Sequence, residues 1–246
     1  MERPDPTNAR SRPTWPVRPS NAPSPFRRRP RSPLPAPLLA ALALLFVSCA
    51  THRPPGHYLS YRGVDTSPTI DDFEVCRSSG CRKTSRLSYS EAEWRSIASL
   101  FEPAPTTPAE ERERIAVAIA AMEDLVGAKN GTRTDRPMNK RGGRHEGQLD
   151  CIAEAANTTV GLLLLNREGL LRHHTVGFPV HRGFLQLKLP HNTATIREKT
   201  TGDRYTVDSW FLANGEAPAT VPVDAWRTGY SPFEPNPYHD PFPKPQ

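Results

Sequence analysis

GQLDCIAEAANTTVGLLLLN, residues 147 to 166, reads as a helix whose first turn carries a cysteine. Asp150 is a good N-cap, and Ile152, Ala155, Thr159, Leu162 and Leu163 follow it at close to a helical period. Cys151 then lies where unpaired backbone N–H groups and the positive end of the helix dipole favour an anion. That placement suits a nucleophile, because the thiolate is the form of cysteine that attacks.

Working outward, the chain beyond the helix becomes rich in β-branched and aromatic residues cut by Gly, Pro and Asp: RHHTVGF, GFLQLKLPHNTATIRE and RYTVDSWF. These segments predict antiparallel strands. Leu185, Leu187 and Leu189 alternate with Gln186 and Lys188, as in a strand with one buried face. His191 opens the next strand, and Asp208 closes the one after it, across a hairpin at Thr201, Gly202 and Asp203. In neighbouring antiparallel strands these two side chains can lie together, so that a carboxylate orients an imidazole facing Cys151. Taken singly, a Cys is often buried, a His structural and an Asp only a cap. The order helix-start Cys, strand-start His, strand-end Asp is the more specific signal.

The segment from Gln148 to Phe211 resembles the core of the transglutaminase-like, papain-related cysteine enzymes, particularly the bacterial transglutaminase-like cysteine peptidases. The likeness covers about a quarter of the chain. It implies an α+β fold with a central Cys-bearing helix packed on an antiparallel sheet, and a triad falling on Cys151, His191 and Asp208. GLLRHHTV, from Gly169 to Val176, is similar to the segment those folds carry after the central helix. Papain-like enzymes place a glutamine oxyanion donor several residues ahead of the cysteine. Gln148, three residues ahead, is the candidate here, with a helix-start N–H as the alternative donor. His191 is followed by Asn192, Thr193 and Ala194, where many transglutaminase-like domains carry a small residue and an aromatic. GQLDCIAEAANTT is also similar to a group of proteobacterial envelope proteins.

The front of the chain reads as delivery. Of 28 prolines, eleven fall between Pro4 and Pro37 and six between Pro232 and Pro245, which predicts disordered, low-complexity ends. The formal net charge of +6 resides entirely in the first 48 residues, where eight arginines face Glu2 and Asp5. The remainder has no basic excess with which to hold nucleic acid. LPAPLLAALALLFVS, Leu34 to Ser48, follows the basic run and is short for a spanning helix but suits an export signal. It leads into Cys49 in the manner of a bacterial lipoprotein signal, whose cysteine becomes the lipid-bearing N-terminus. Ordinary cleavage or an uncleaved anchor fits the same pattern. Residues 1–48 are therefore expected to be basic n-region and signal, 49–67 a lipidated tether, 68–230 the domain and 231–246 a Pro-rich tail.

In an exported protein, Cys76 and Cys81 could close a small disulfide loop, leaving Cys151 unpaired. The pair could instead stay reduced, and a zinc site with His145 would lack half of its ligands. Two helices are predicted ahead of the central one. One spans Leu87 to Phe101 with Ser88 and Glu91 as a capping box. The other spans Pro108 to Val126, with Thr107 and Glu110 as its box, a solvated charged run from Glu110 to Arg114, and Gly127 as its end. The polar loop that follows, with Arg133, Arg136, Lys140, Arg141 and Arg144, could line a cleft mouth. Trp226 and Tyr230 are expected to close the domain over the sheet, with a wall of the active-site cleft as the alternative for either.

The reading is of an envelope lipoprotein. It is held to a membrane through Cys49, needs no cofactor and acts on amide bonds of a protein or peptide as a Cys-His-Asp hydrolase or acyl-transferase. The alternative is a lipoprotein that uses the same fold only to bind or scaffold.

Overall fold

In the computed structural model, residues 53–139, 146–183 and 190–233 are described. The signal stretch, Cys49, Lys140, Arg141, Arg144, His145, the Leu185–Leu189 alternation and the tail beyond 233 lie outside the described residues.

Mixed helix and antiparallel sheet make this an α+β chain. Its elements are α1 (Gly56–Ser60), β1 (Phe73–Cys76), β2 (Thr84–Leu87), α2 (Glu91–Ala98), α3 (Pro108–Asn130), α4 (Cys151–Arg167), β3 (His174–Arg182), β4 (His191–Glu198), β5 (Arg204–Val207) and α5 (Val223–Arg227). Strands β3, β4 and β5 form one antiparallel sheet in that order, and β1 pairs with β2 in a separate hairpin.

α4 is mostly apolar, and Ala153, Ala156, Val160, Leu164 and Leu165 bury it between the sheet, the hairpin and α3. Ala194, Ile196, Val176 and Val207 supply the sheet side of that core. Asn157 fixes the hairpin to the helix. Its Oδ1 accepts from Cys76 N (2.7 Å) and its Nδ2 donates to Cys76 O (2.9 Å), so a side chain completes the edge of β1 as a neighbouring strand would. A second cluster, built on Trp226, Phe211, Val180, Val221 and Tyr230, covers another part of the domain.

Several sequence expectations are corrected. The tether assignment ran too far, because Tyr58, Leu59 and Val64 are buried in the main core. Pro54, Pro55 and Gly56 introduce α1 rather than a linker. The α2 capping box uses Ser90 and Glu93, two residues later than expected. The α3 box at Thr107 and Glu110 and its N1 proline stand as read, but the helix runs on to Asn130, with Gly131 (φ 85°) as the left-handed cap. Gly127 lies inside it and leaves room for the returning chain, since a Cβ there would come within 2.8 Å of Arg133 N. The charged first turn is only partly solvated. Glu111 is fully buried, accepting from the N–H groups of Arg172, His173 and His174 and from His174 Nδ1. Arg112 is buried between Glu198 Oε2 (3.1 Å) and the Tyr205 ring (4.0 Å). A carboxylate that satisfies three successive N–H groups at the start of a strand tolerates burial because each lone pair is used.

Candidate active site

Asp150 builds the start of α4. Its Oδ1 accepts from Ala153 N (3.0 Å) as an N-cap and also from Gly80 N (2.8 Å). Gly80 belongs to the turn closed by Cys76 and Cys81, which are joined as a disulfide with a Cα–Cα separation of 4.7 Å. Ser79 Oγ in the same turn donates to Gln148 O (3.3 Å). The cross-linked turn therefore grips the residues on either side of Leu149, immediately ahead of the sulfur. Cys151 follows in the first helical turn, half-buried and free.

β4 brings His191 to the same place. Extending the β4–β5 register by one places Asp208 level with Thr193, so His191 is its diagonal neighbour on the same face. His191 Nε2 and Asp208 Oδ2 are 2.7 Å apart, both buried. Asp208 Oδ2 also accepts from Trp226 Nε1 (2.6 Å), and its backbone pairs with Ala219 in both directions. Trp210, Phe211 and Trp226 wall the imidazole with ring centroids 4.4, 5.1 and 5.3 Å away.

His191 Nδ1 is buried without a hydrogen-bond partner, while the Cys151 thiol lies close enough to act on the ring's proton affinity. Burial opposes the imidazolium, but Asp208, by charge and by hydrogen bond, and then Cys151 outweigh it. The His191 pKa is pushed up from 6.5 to about 9. Asn192 Nδ2 approaches the sulfur from the adjacent strand position at 3.7 Å. Cys151, His191 and Asp208 are thus brought together, whereas Gln148 is engaged elsewhere. Its Nε2 donates to Thr134 O (2.8 Å) and its Oε1 accepts from Asn139 (3.1 Å), so the amide ties down the preceding loop.

The contacts that three further residues make at the site were not foreseen from sequence. Tyr58, placed in the tether, donates to Ile152 O (3.4 Å). Burial is the main cause of its phenol pKa rising to about 12, with Cys151 and Asp150 adding to it against Arg62. Trp226 was read as a closing aromatic with a cleft wall as the alternative; it does line His191, but nothing local in VDAWR announces an indole donor aimed at Asp208. One turn after Cys151, Glu154 is buried beside Glu123 and Asp135, and burial and their charges push its pKa well above the carboxylate range. Among the described residues, no group of three or more His, Cys, Asp or Glu side chains could hold a metal ion.

Comparison of the chain with known protein families, curated proteins and solved structures finds no match.

Proposed function

We propose that this protein is a thiol hydrolase or acyl-transferase of transglutaminase-like fold, acting on amide bonds of a protein or peptide. The observation that carries the reading is the His191 ring, held through Nε2 by Asp208, with no hydrogen-bond partner for Nδ1 and with the Cys151 thiol near enough to act on the ring. With its raised proton affinity, His191 is an imidazolium at neutral pH, and its charge stabilises a negative sulfur. The sulfur attacks the carbonyl carbon. The oxyanion meets the Cys151 N–H at the start of α4, which the helix cannot satisfy itself, with Asn192 Nδ2 as a further donor. His191 gives its proton to the departing amine, leaving a thioester on Cys151. It then takes a proton from the water or amine that releases the acyl group. Asp208 fixes the ring throughout, and Trp226 fixes Asp208. The export signal and Cys49 support a place in the bacterial cell envelope, tethered by lipid and facing the periplasm.

Incubation with an activated acyl ester, followed by intact mass measurement, tests the reading. An acyl adduct on Cys151 is expected to form and then decay in the wild-type chain, and to form at least about a hundredfold more slowly in H191A. A folded wild-type chain that acquires no adduct, or an H191A chain that acylates equally fast, refutes the enzyme and leaves a binding module.

A further inference from the structure

Four arginines from four separate segments converge on one cleft of about 430 Å³ at the β3 bulge: Arg53 ahead of α1, Arg197 at the end of β4, Arg204 at the start of β5 and Arg227 in α5. Arg197 and Arg204 are direct cross-strand partners, an arrangement of like charges that an antiparallel pair ordinarily avoids. None of the four is within ion-pair distance of a carboxylate among the described residues. The charge of Asp224 favours the Arg204 guanidinium, against Arg227 and Arg197.

The floor of the cleft is built. Phe178 and Pro179 stand opposite the single residue Ala194, and that bulge lets Phe178 O accept from Arg204 Nη2 (2.8 Å). The same Nη2 donates to Thr195 Oγ1 (3.1 Å). Gly177 is required beside them, since a Cβ there would come within 2.4 Å of Thr195 Oγ1. Arg204 is half-buried, and that desolvation, with the repulsion of Arg227 and Arg197, disfavours its charge. A guanidinium does not shed its proton at physiological pH, so all four charges persist at the cleft and each would attract an anion that entered it.

We propose that this cleft, separate from the thiol site, binds a phosphate-bearing anion. A carboxylate supplies a single negative charge, whereas a diphosphate or a phospholipid headgroup presents several oxygens to planar guanidinium forks.

The test compares the full chain with R197S/R227S, which removes two exposed pocket charges. R114S/R167S removes two exposed charges from α3 and α4 as a control. Inorganic pyrophosphate titrated into the detergent-held chain is expected to bind saturably. R197S/R227S should weaken that binding about tenfold or more, with R114S/R167S close to wild type. In the second arm, phosphatidylcholine vesicles are compared with vesicles that also contain phosphatidylglycerol. All variants share one N-terminus, so a pocket-dependent gain on the anionic vesicles assigns the lipid headgroup. A response to pyrophosphate alone assigns a soluble phosphate. Without ligand, R197S/R227S should melt no lower than wild type because a repulsion is gone, and R227S alone should show an intermediate loss of binding. Absence of pocket-dependent binding in both arms, or equal loss in the control variant, overturns the proposal.

Discussion

Trp226 and His191 share one oxygen: Oδ2 of Asp208 accepts from the indole at 2.6 Å and lies 2.7 Å from the imidazole Nε2. The indole takes up part of the carboxylate's charge and fixes its rotamer. W226F therefore leaves Asp208 facing His191 alone and less constrained. Acylation of Cys151 is expected to slow about tenfold, and unfolding free energy to fall by about 1–2 kcal/mol. The alkaline limb of the rate should also move upward, because the undivided carboxylate holds the imidazolium more tightly. A pH–rate profile separates this from simple loss of packing.

His191 sets that alkaline limb. In the proposed mechanism its proton is the one delivered to the leaving group, so kcat/KM should decline above about pH 9. The same shift bears on stability. The folded pKa lies above the unfolded one, so the stabilisation is complete below about pH 6.5 and is lost as pH rises through about 9. Denaturant titrations of a C151S background should lose on the order of 2–3 kcal/mol over that window, and H191Q should flatten the slope.

Glu123 is partly buried beside Glu154 and Asp135, and Gly215 N donates to its Oε2 (3.2 Å). Burial, with the charges of Asp135 and Asp124, lifts its pKa to about 7 against hydrogen bonds from Ser209 and Gly215. A raised carboxylate stabilises the fold in its protonated form, so this contribution is lost as pH climbs from about 4.5 through 7. E123Q keeps the shape and removes the charge. It is expected to be more stable than wild type at pH 8 by on the order of 2 kcal/mol, and equal to it near pH 4. Thermal unfolding at the two pH values checks the sign.

The disulfide turn holds Asp150 through Gly80 N. Reduction, or C76S/C81S, is expected to cost about 2 kcal/mol for so short a loop and to slow Cys151 acylation several-fold without unfolding the domain. D150A should slow it further, because the cap on Ala153 N goes as well. Acylation rates with and without reductant, read beside far-ultraviolet circular dichroism, decide it.

Legibility in the sequence followed locality. The start of α4 was readable because Asp150 and the periodicity act within a turn or two, and so was the hairpin that sets His191 diagonal to Asp208. SYSEAE holds two overlapping capping boxes, and sequence alone does not choose between them. Burial of Tyr89 against Phe73, with ring centroids 4.7 Å apart, selects Ser90. The β1–β2 hairpin was invisible because its strands are short and its edge is completed by Asn157, 81 positions from Cys76. Glu111 was misjudged for the same reason, since its N–H donors stand more than 60 residues away.

Because the turn cross-linked by Cys76 and Cys81 is what steadies the helix beneath the sulfur, oxidation of two cysteines prepares a third that takes no part in it. A newly made chain in a reducing compartment would hold its nucleophile on a loose footing. Oxidation of that turn would then act as a maturation step for a thiol it never touches.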